Sequence, residues 1–280
     1  DENNLPVEGA QVQAGTAFST TDAYGYFQFR NTEVVKNAAV VTVKKSGYFN
    51  GIKTFIAQQG KSAIFRIKLL PKTNQGNFTA TAGGEVSLTN GMKISFPADA
   101  IVNASNNSAY SGTVTVAAQW IDPTAIDLAL TMPGDLRGLD LQGSPKVLTT
   151  YGMAAVELIG SAGELLQIAS GKKATLTMPL PSAIQGNAPA SIPLWHFNES
   201  NGLWEEEGSA TKTGNTYVGE VSHFSFWNCD VPAVYVHVDL TLVDGSGNPI
   251  PNAVVKISRV SNPNSSGWAI TDSSGYAGGA

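Results

Sequence analysis

The residues of this chain with the clearest capacity for chemistry are a histidine and a serine two positions apart, His223 and Ser225. An imidazole can accept the proton of a serine hydroxyl and turn the oxygen into a nucleophile. Residues 221–227 can form a β-strand, and alternate strand residues share a face, so His223 would point the same way as Ser225. His196, on a separate predicted strand, is the alternative base. The segment also fits an ordinary closing strand, which is the interpretation we favour.

Metal-binding patterns are absent from the sequence. The histidines, His196, His223 and His237, are too few and too scattered to form a ligand motif, and a single cysteine, Cys229, cannot build a thiolate cage or an internal disulfide. The acidic run 205–207 would point its side chains to both faces of a strand, which favours a solvated edge. We therefore predict no metal site and no cofactor. Hydrolase, zinc-protease and phosphate-binding motifs are also missing, which predicts a non-enzymatic chain.

Aromatic residues offer a third kind of chemistry, the binding of carbohydrate. Trp195, Trp204 and Tyr217 surround one predicted hairpin and could form a platform that stacks against a sugar ring. Large aromatic side chains in β-sandwiches more often pack inside a core or between domains, because they bury a large apolar area. The packing role is the one we favour for these residues.

The elements that must position these residues are predicted to be strands. Of the 280 residues only 14% are charged, whereas glycine and proline contribute 29 and 14 turn-forming residues. Low charge with many turns is typical of an all-β protein. The net charge of −5 argues against nucleic acid as a partner, because phosphates require a basic surface. Since the sequence has no apolar run of about 20 residues, we predict no transmembrane segment in this chain.

An internal repeat sets the organisation of the chain. Residues 6–12 and 249–255 share a Pro-x-x-x-Ala-x-Val pattern, and residues 21–26 and 271–276 share Thr-Asp-x-x-Gly-Tyr. In the second pattern the aspartate caps a tight turn and the glycine supplies a positive φ. Residues 26–29 then alternate like a strand. Each copy is therefore predicted to be a small β module that begins with the same strand and turn.

These motifs resemble the carboxypeptidase regulatory-like family, a transthyretin-like β-sandwich. In the first copy the resemblance continues at 40–43 and 45–48 and closes with a predicted strand at 64–69. It implies an accessory module without peptidase activity. It also implies a piece of a longer polypeptide, because the first copy lacks the family's opening strand and the second stops at Ala280, about halfway through a module.

The central block contains the clearest hairpin signal, residues 83–97, in which Asn90-Gly91 separates two alternating apolar runs. Together with the run at 94–101 and the segment 221–227, this block resembles the ZU-type β-sandwich of ankyrins, netrin receptors and PIDD-type death-domain scaffolds. Asp99 stands where that family usually has glycine. The order of modules is similar to that of bacterial surface lipoproteins.

The resemblance gives the His223-Phe224-Ser225 tripeptide a specific meaning. In PIDD-type proteins and in the nucleoporin autoproteolytic domain, this tripeptide marks self-cleavage between Phe and Ser. It implies that the Ser225 hydroxyl would attack the carbonyl carbon of Phe224 in an N-to-O acyl shift, with His223 or His196 as base. Water would then hydrolyse the ester, provided that a donor stabilises the oxyanion.

The sequence predicts tandem β-sandwiches: a regulatory-like module at 1–70, a linker at 71–77, a ZU-like sandwich at 78–232 and a partial second module at 233–280. We expect a non-enzymatic structural or interaction segment of an exported protein. Its predicted location is the cell surface, an outer-membrane lipoprotein or the periplasm of a bacterium, and its predicted partner is a protein or glycan there. The alternatives are an autoproteolytic sandwich that cleaves Phe224-Ser225 and a carbohydrate-binding module.

Overall fold

Strands dominate the computed structural model, which describes residues 1–260 and 262–279. Within these residues the strands form four sheets, and the helices are two four-residue turns, α1 (Leu128–Thr131) and α2 (Ser182–Gln185). This confirms the predicted all-β sandwich class. Ser261 and Ala280, at which the predicted second module continues and ends, lie outside the described residues.

The first sheet is built from four strands: β1 (Gln11–Ala14), β2 (Ala17–Thr20), β3 (Ala39–Lys44) and β4 (Gly51–Phe55). They are antiparallel in the order β2-β1-β3-β4. Alternate residues of β1 and β3, such as Val12 and Val41, point into a buried cluster. The predicted strands at 26–29 and 64–69 form no ladder, but Phe27 and Phe65 pack on this cluster, so these segments cover it.

The repeated turn has the same hydrogen bonds in both copies. In the first, the Asp22 carboxylate accepts the amide N–H of Tyr24 and Tyr26, and Gly25 has a φ of +72°. In the second, the Asp272 carboxylate accepts the amide N–H of Ser274 and Tyr276, and the glycine has a φ of +73°. An L side chain is strained at this φ, which explains why both copies have glycine here.

The central sheet contains thirteen strands in the described part of the chain, and they are listed in chain order: β5 (Asn74–Thr79), β6 (Gly84–Ser87), β7 (Lys93–Phe96), β8 (Ile101–Asn103), β9 (Thr113–Ile121), β10 (Arg137–Leu139), β11 (Pro145–Ile159), β12 (Leu165–Ile168), β13 (Ala174–Pro179), β14 (Ser191–Asn198), β15 (Leu203–Thr213), β16 (Thr216–Val221) and β17 (Phe226–Val234). The main path runs β5-β9-β11-β17-β14-β15-β16-β13-β7-β6. Three strands lie off this path: β10 pairs with β11 and β15, β12 pairs with β11, and β8 pairs with β12.

This sheet folds back on itself around a buried core. Its two end strands meet at a bridge between Thr79 and Gly83, and the rings of Phe78 and Phe96 stack there with centroids 4.4 Å apart. Strand β6 pairs with β7 across the predicted Asn90-Gly91 turn. The core enclosed by the folded sheet also contains Trp227, which is fully buried.

The predicted linker at 71–77 is wrong in its second half. Strand β5 begins at Asn74 and pairs with β9 as far as Thr79 opposite Thr113. The Asn- and Gly-rich sequence resembled a loop, but the pairing with a distant strand makes it extended. Of the predicted linker, only residues 71–73 therefore precede β5.

A second buried cluster joins the first sheet to the outer face of the central sheet. Phe49 and Ile52 from the first module pack there with Trp195, Phe197 and Trp204 of the central sheet. Polar contacts reinforce it: the Thr54 hydroxyl donates to the carbonyl of Gly202 at 2.6 Å, and the Lys53 ammonium donates to two carbonyls of the α1 region. The two sheets consequently share one core.

The remaining strands form two small sheets, β18 (Val238–Thr241) with β21 (Tyr276–Gly279) and β19 (Val254–Arg259) with β20 (Asn262–Ile270). They contact the first module through polar groups. Gln58 donates to Asp239 at 3.0 Å and Lys61 donates to Ser274 at 2.6 Å. These contacts are few in comparison with the shared core described above.

Candidate functional site

Two histidines that are far apart in the sequence lie side by side in the structure. His196 is on β14, and His223 lies in the segment 222–225 between β16 and β17. Their ring centroids are 4.7 Å apart, with the rings at 87° to each other. The long-range pairing of β14 with β17, which places His196 opposite Trp227, brings them together.

A carboxylate lies between the two imidazoles. One oxygen of Glu207, Oε2, is 3.2 Å from Nδ1 of His196 and 3.2 Å from Nε2 of His223. Glu205, two residues earlier on β15, is 3.5 Å from Nε2 of His196. Glu206 points to the opposite face and accepts the amide N–H of Leu141. Two of the three consecutive glutamates therefore face the histidines, which the predicted solvated edge did not anticipate.

The two facing glutamates are held by further hydrogen bonds. Glu205 accepts the side-chain amides of Asn198 at 2.9 Å and Asn201 at 2.7 Å. Glu207 accepts the hydroxyl of Ser222 through its other oxygen. Next to it, Gly208 has a φ of +81° at the irregularity where β15 shifts its register against β14. This bulge ends the regular alternation of β15 just after Glu207.

The surroundings favour the neutral imidazole of His196 and the ionised carboxylate of Glu207. Burial, and then the neighbouring His223, lower the pKa of His196. Burial raises the pKa of Glu207, but the Ser222 hydroxyl and the adjacent histidines outweigh it and leave the pKa below its ordinary value. The indole of Trp227 packs on both rings, with centroids 5.0 Å from His223 and 5.7 Å from His196. Metal ions bind the neutral form of imidazole and the ionised form of a carboxyl group, so His196 and Glu207 are in the forms that a ligand requires.

Ser225 does not join this cluster. The predicted strand over 221–227 is wrong, because β16 ends at Val221 and β17 begins at Phe226. The hydroxyl of Ser225 donates to the carbonyl of Phe226 at 3.2 Å. Within residues 1–260 and 262–279 it has no hydrogen bond to His223 or His196. The structure brings the two candidate bases together but does not direct either of them at the candidate nucleophile.

The peptide that precedes Ser225 is held by a side chain that the sequence analysis missed. Gln167 on β12 accepts the amide N–H of Phe224 at 2.7 Å and donates to the carbonyl of Phe224 at 3.0 Å. A glutamine side chain here replaces the strand partner that an irregular segment lacks. No local pattern around Gln167 could have shown this contact, because it joins β12 to a connecting segment 57 residues later in the chain.

The predicted sugar platform is contradicted by burial. Trp195 and Trp204 are fully buried in the core shared with the first module, and their indole N–H groups donate to the carbonyls of Asp230 and Asp135. Tyr217 is also buried, but in the core enclosed by the central sheet. A sugar can stack only on an exposed ring face, so these three residues serve packing.

The structure also brings together three side chains that the sequence analysis, which predicted no metal site, did not connect. His196, Glu207 and His223 offer ligand atoms that all lie within 4.8 Å of one another. Linear spacing could not show this, because 26 residues separate the histidines and the carboxylate belongs to a third segment. The sequence did contain one signal for this site: Gly208 directly follows the acidic run, and a glycine within a strand often marks a β-bulge. Here the bulge lies next to Glu207.

Comparison with known proteins finds similarity to one group. No family model matches the chain. It is 34% identical to human cartilage intermediate layer protein 2 over 107 residues, which is 38% of this chain and 9% of that protein. The mouse protein of the same name is 26% identical over 222 residues, 76% of this chain and 19% of that protein. Pig cartilage intermediate layer protein 1 is 34% identical over 107 residues, 37% of this chain and 17% of that protein.

The chain thus spans less than a fifth of the length of the curated relatives it matches. Similarity to proteins named for a cartilage layer is compatible with a non-enzymatic, exported segment. In the described residues, no helix is both long and apolar enough to span a membrane.

Proposed function

We propose that this chain is a non-enzymatic structural or interaction segment of an exported protein, in which rigidly joined β modules space or present binding surfaces. The observation that carries the proposal is the core shared by the first module and the central sheet. A joint that buries Trp195, Phe197 and Trp204 against Phe49 and Ile52 holds two modules in one orientation, as a spacer requires.

The family assignment of the modules is part of this proposal. The carboxypeptidase regulatory-like assignment is supported by the shared motifs and by the matching hydrogen bonds of Asp22 and Asp272. The ZU-like assignment of the central sheet is supported by its sequence motifs. Both families supply accessory modules, which agrees with a segment that does not itself catalyse a reaction.

The location outside the cell is supported by the relatives, whose name refers to a layer of cartilage. The more specific location, a bacterial surface lipoprotein, rests on the order of the modules alone. We propose a protein as the partner class. The burial of Trp195 and Trp204 removes the residues that a glycan site would have used.

Two measurements test the proposal. An antibody against this chain should label intact cells that produce the full-length protein, or the material around them. Labelling only after permeabilisation would contradict the exported location. For the absence of self-cleavage, the intact mass under denaturing conditions should show one species near 29.3 kDa.

A second candidate function, self-cleavage at Phe224-Ser225, is favoured by one observation. The Gln167 amide donates to the Phe224 carbonyl oxygen, on which the negative charge would develop. Self-cleavage would give two fragments whose masses sum to 29.3 kDa plus one water, with Ser225 as the new N-terminus. Ser225→Ala should abolish the cleavage and Gln167→Ala should slow it, whereas Ser222→Ala should cleave normally. An intact chain after prolonged incubation would exclude this function.

A further inference from the structure

Two imidazoles and a carboxylate from three chain segments converge beside Trp227. They are His196 on β14, Glu207 on β15, and His223 in the connection from β16 to β17. Two histidines and one carboxylate are a common ligand set for zinc. We propose that His196, Glu207 and His223 bind a zinc ion, a site that goes beyond the proposed structural role of the chain.

The distances between the ligand atoms fit a small ion. A zinc ion bound tetrahedrally at about 2.0–2.1 Å keeps its ligand atoms roughly 3.3 Å apart. Oε2 of Glu207 is 3.2 Å from Nδ1 of His196 and 3.2 Å from Nε2 of His223. All of the ligand atoms lie within 4.8 Å of one another. A small rotation of the imidazole rings would bring the two histidine nitrogens to the separation that zinc requires. The side chains are therefore almost in place before the ion arrives.

One atom of the cluster lacks a satisfactory partner in the protein. Nδ1 of His196 is buried and makes no hydrogen bond, although the oxygen of Glu207 is only 3.2 Å away. The two atoms are close enough for a hydrogen bond but do not form one. A buried ring nitrogen without a partner is unfavourable, and an ion between the two atoms would use the lone pairs of both.

The other nitrogen of His196 faces a carboxylate, which is the kind of group that often accepts the second ring N–H of a zinc-bound histidine. Nε2 of His196 is 3.5 Å from Glu205, and Glu205 is itself fixed by Asn198 and Asn201. A carboxylate near Nε2 favours the tautomer with the proton on Nε2, which leaves the lone pair of Nδ1 for a metal ion. The hydroxyl of Ser222 donates a hydrogen bond to the second carboxylate oxygen of Glu207 and so fixes this ligand. The outer groups of the site are thus present as well as the ligands.

The ligand types select zinc over the alkaline-earth ions. Calcium and magnesium prefer oxygen ligands, and two of the three ligands here are nitrogen. Three protein ligands leave a fourth position for water. Because the ligands come from three segments, binding would fasten the irregular segment 222–225 to β14 and β15. We therefore expect the ion to stabilise the fold around the Phe224-Ser225 peptide.

The test is a titration of the full chain, freed of metal by a chelator, with zinc in a calorimeter and with cobalt in a spectrophotometer. We expect one zinc ion per chain, and visible absorption bands of cobalt in a four-coordinate nitrogen and oxygen site. His223→Gln and Glu207→Gln should each weaken zinc binding by at least about 100-fold, more than the loss of an outer partner. Glu205→Gln should weaken it by about 10–100-fold.

The chain provides matched controls for both ligand types. His237 lies outside the cluster and pairs with Asp239, with 3.0 Å between Nε2 and the carboxylate oxygen. Glu206 points to the opposite face of β15. His237→Gln and Glu206→Gln should bind zinc like the unaltered chain. Far-ultraviolet circular dichroism of each metal-free variant separates loss of ligand from loss of fold, and Glu205→Gln leaves all three ligands in place.

Several outcomes would overturn the proposal. One is an unaltered chain that binds no zinc more tightly than about 1 mM. Another is that His223→Gln and His237→Gln bind zinc with equal affinity. A third is loss of binding in His237→Gln with retention in Glu207→Gln, which would place the ion elsewhere.

Discussion

The two copies of the repeat share a turn but differ in what covers the strand beside it. In the first copy Val12 and Ala14 of β1, and Ala10 just before it, are all buried. At the matching positions of the second copy Ala253 and Val255 are half-buried, and Ile257 is 39% exposed. The turn is thus specified by a few local residues. The burial of the neighbouring strand depends instead on segments that lie later in the sequence and pack on it. In the first copy those segments carry Phe27, Phe65 and Leu69.

The largest expected difference is between the joint that fastens the first copy to the central sheet and the second copy, and it concerns one tryptophan in each. Trp204 is fully buried where the first module meets the central sheet, and its indole donates to the Asp135 carbonyl at 2.8 Å. Trp268 in the second copy is 47% exposed beneath the Lys256 ammonium. Trp204→Ala should lower the free energy of unfolding by about 3–5 kcal/mol, and Trp268→Ala by less than about 1 kcal/mol. Urea denaturation followed by circular dichroism measures both, and equal losses would show that the first joint is no more tightly packed than the second copy.

The next prediction concerns the charge buried in the joint of the first module. Burial lowers the pKa of Lys53 to about 8, although Asp135 opposes the shift. Between pH 8 and 10.5 the unfolded chain therefore holds a proton that the folded protein has lost, so this group makes the free energy of unfolding rise with pH. Below pH 8 the folded protein carries the full cost of the buried ammonium.

Comparison with Lys53→Met isolates this contribution. The free energy of unfolding of the unaltered chain, minus that of the variant, should increase by roughly 2–3 kcal/mol from pH 7.5 to 10. Denaturation at a series of pH values gives this difference. Parallel pH profiles for the two proteins would mean that the ammonium is solvated and the joint is open to water.

The shared turn can be broken separately in each copy. A Cβ at Gly25 would lie 3.3 Å from Cβ of Pro6, and a Cβ at Gly275 would lie 2.3 Å from the carbonyl oxygen of Leu242. Both glycines have positive φ, so alanine is strained at either position. Gly25→Ala should lower the global free energy of unfolding by about 1–2 kcal/mol. Gly275→Ala should instead speed amide exchange in residues 271–276 and leave the central sheet unchanged. Hydrogen exchange followed by mass spectrometry measures this difference. Faster exchange in β11 and β17 of Gly275→Ala as well would mean that the second copy and the central sheet unfold together.

The smallest expected effect is the coupling between the two copies. The Lys61 ammonium donates to the Ser274 hydroxyl and lies 5.3 Å from the centre of the Tyr276 ring. These groups are near the surface, where such contacts contribute little. A double-mutant cycle of Lys61→Met and Tyr276→Leu should give a coupling energy of about 0.5–1 kcal/mol. A value above about 2 kcal/mol would indicate that the copies are joined by more than surface contacts.

Local features of the fold could be predicted from the sequence. The Asn90-Gly91 hairpin and the two Asp-x-x-Gly turns form as expected, because each depends on neighbouring residues. The linker was mispredicted because Asn74–Thr79 become a strand only through pairing with β9. The segment 221–227 was mispredicted as a single strand for a related reason. Its ends pair with different strands, and Gln167 satisfies the peptide between them.

The candidate site was predictable only in its parts. His196 and His223 were singled out as bases because their side chains can exchange protons, and they do lie together. What joins them is Glu207, whose position depends on the facing of β15 and on the bulge at Gly208. The burial of Trp195 and Trp204 depends on a neighbouring module, which local sequence does not describe.

The placement of β17 has a mechanical consequence. This strand lies between β11 and β14, pairs with β11 from Phe226 to Val234, and continues into the second copy. Tension applied along β17 would load the hydrogen bonds on both of its sides in parallel, so they would have to break together. A chain under tension would therefore first extend the loosely attached second copy, while the central sheet kept its length.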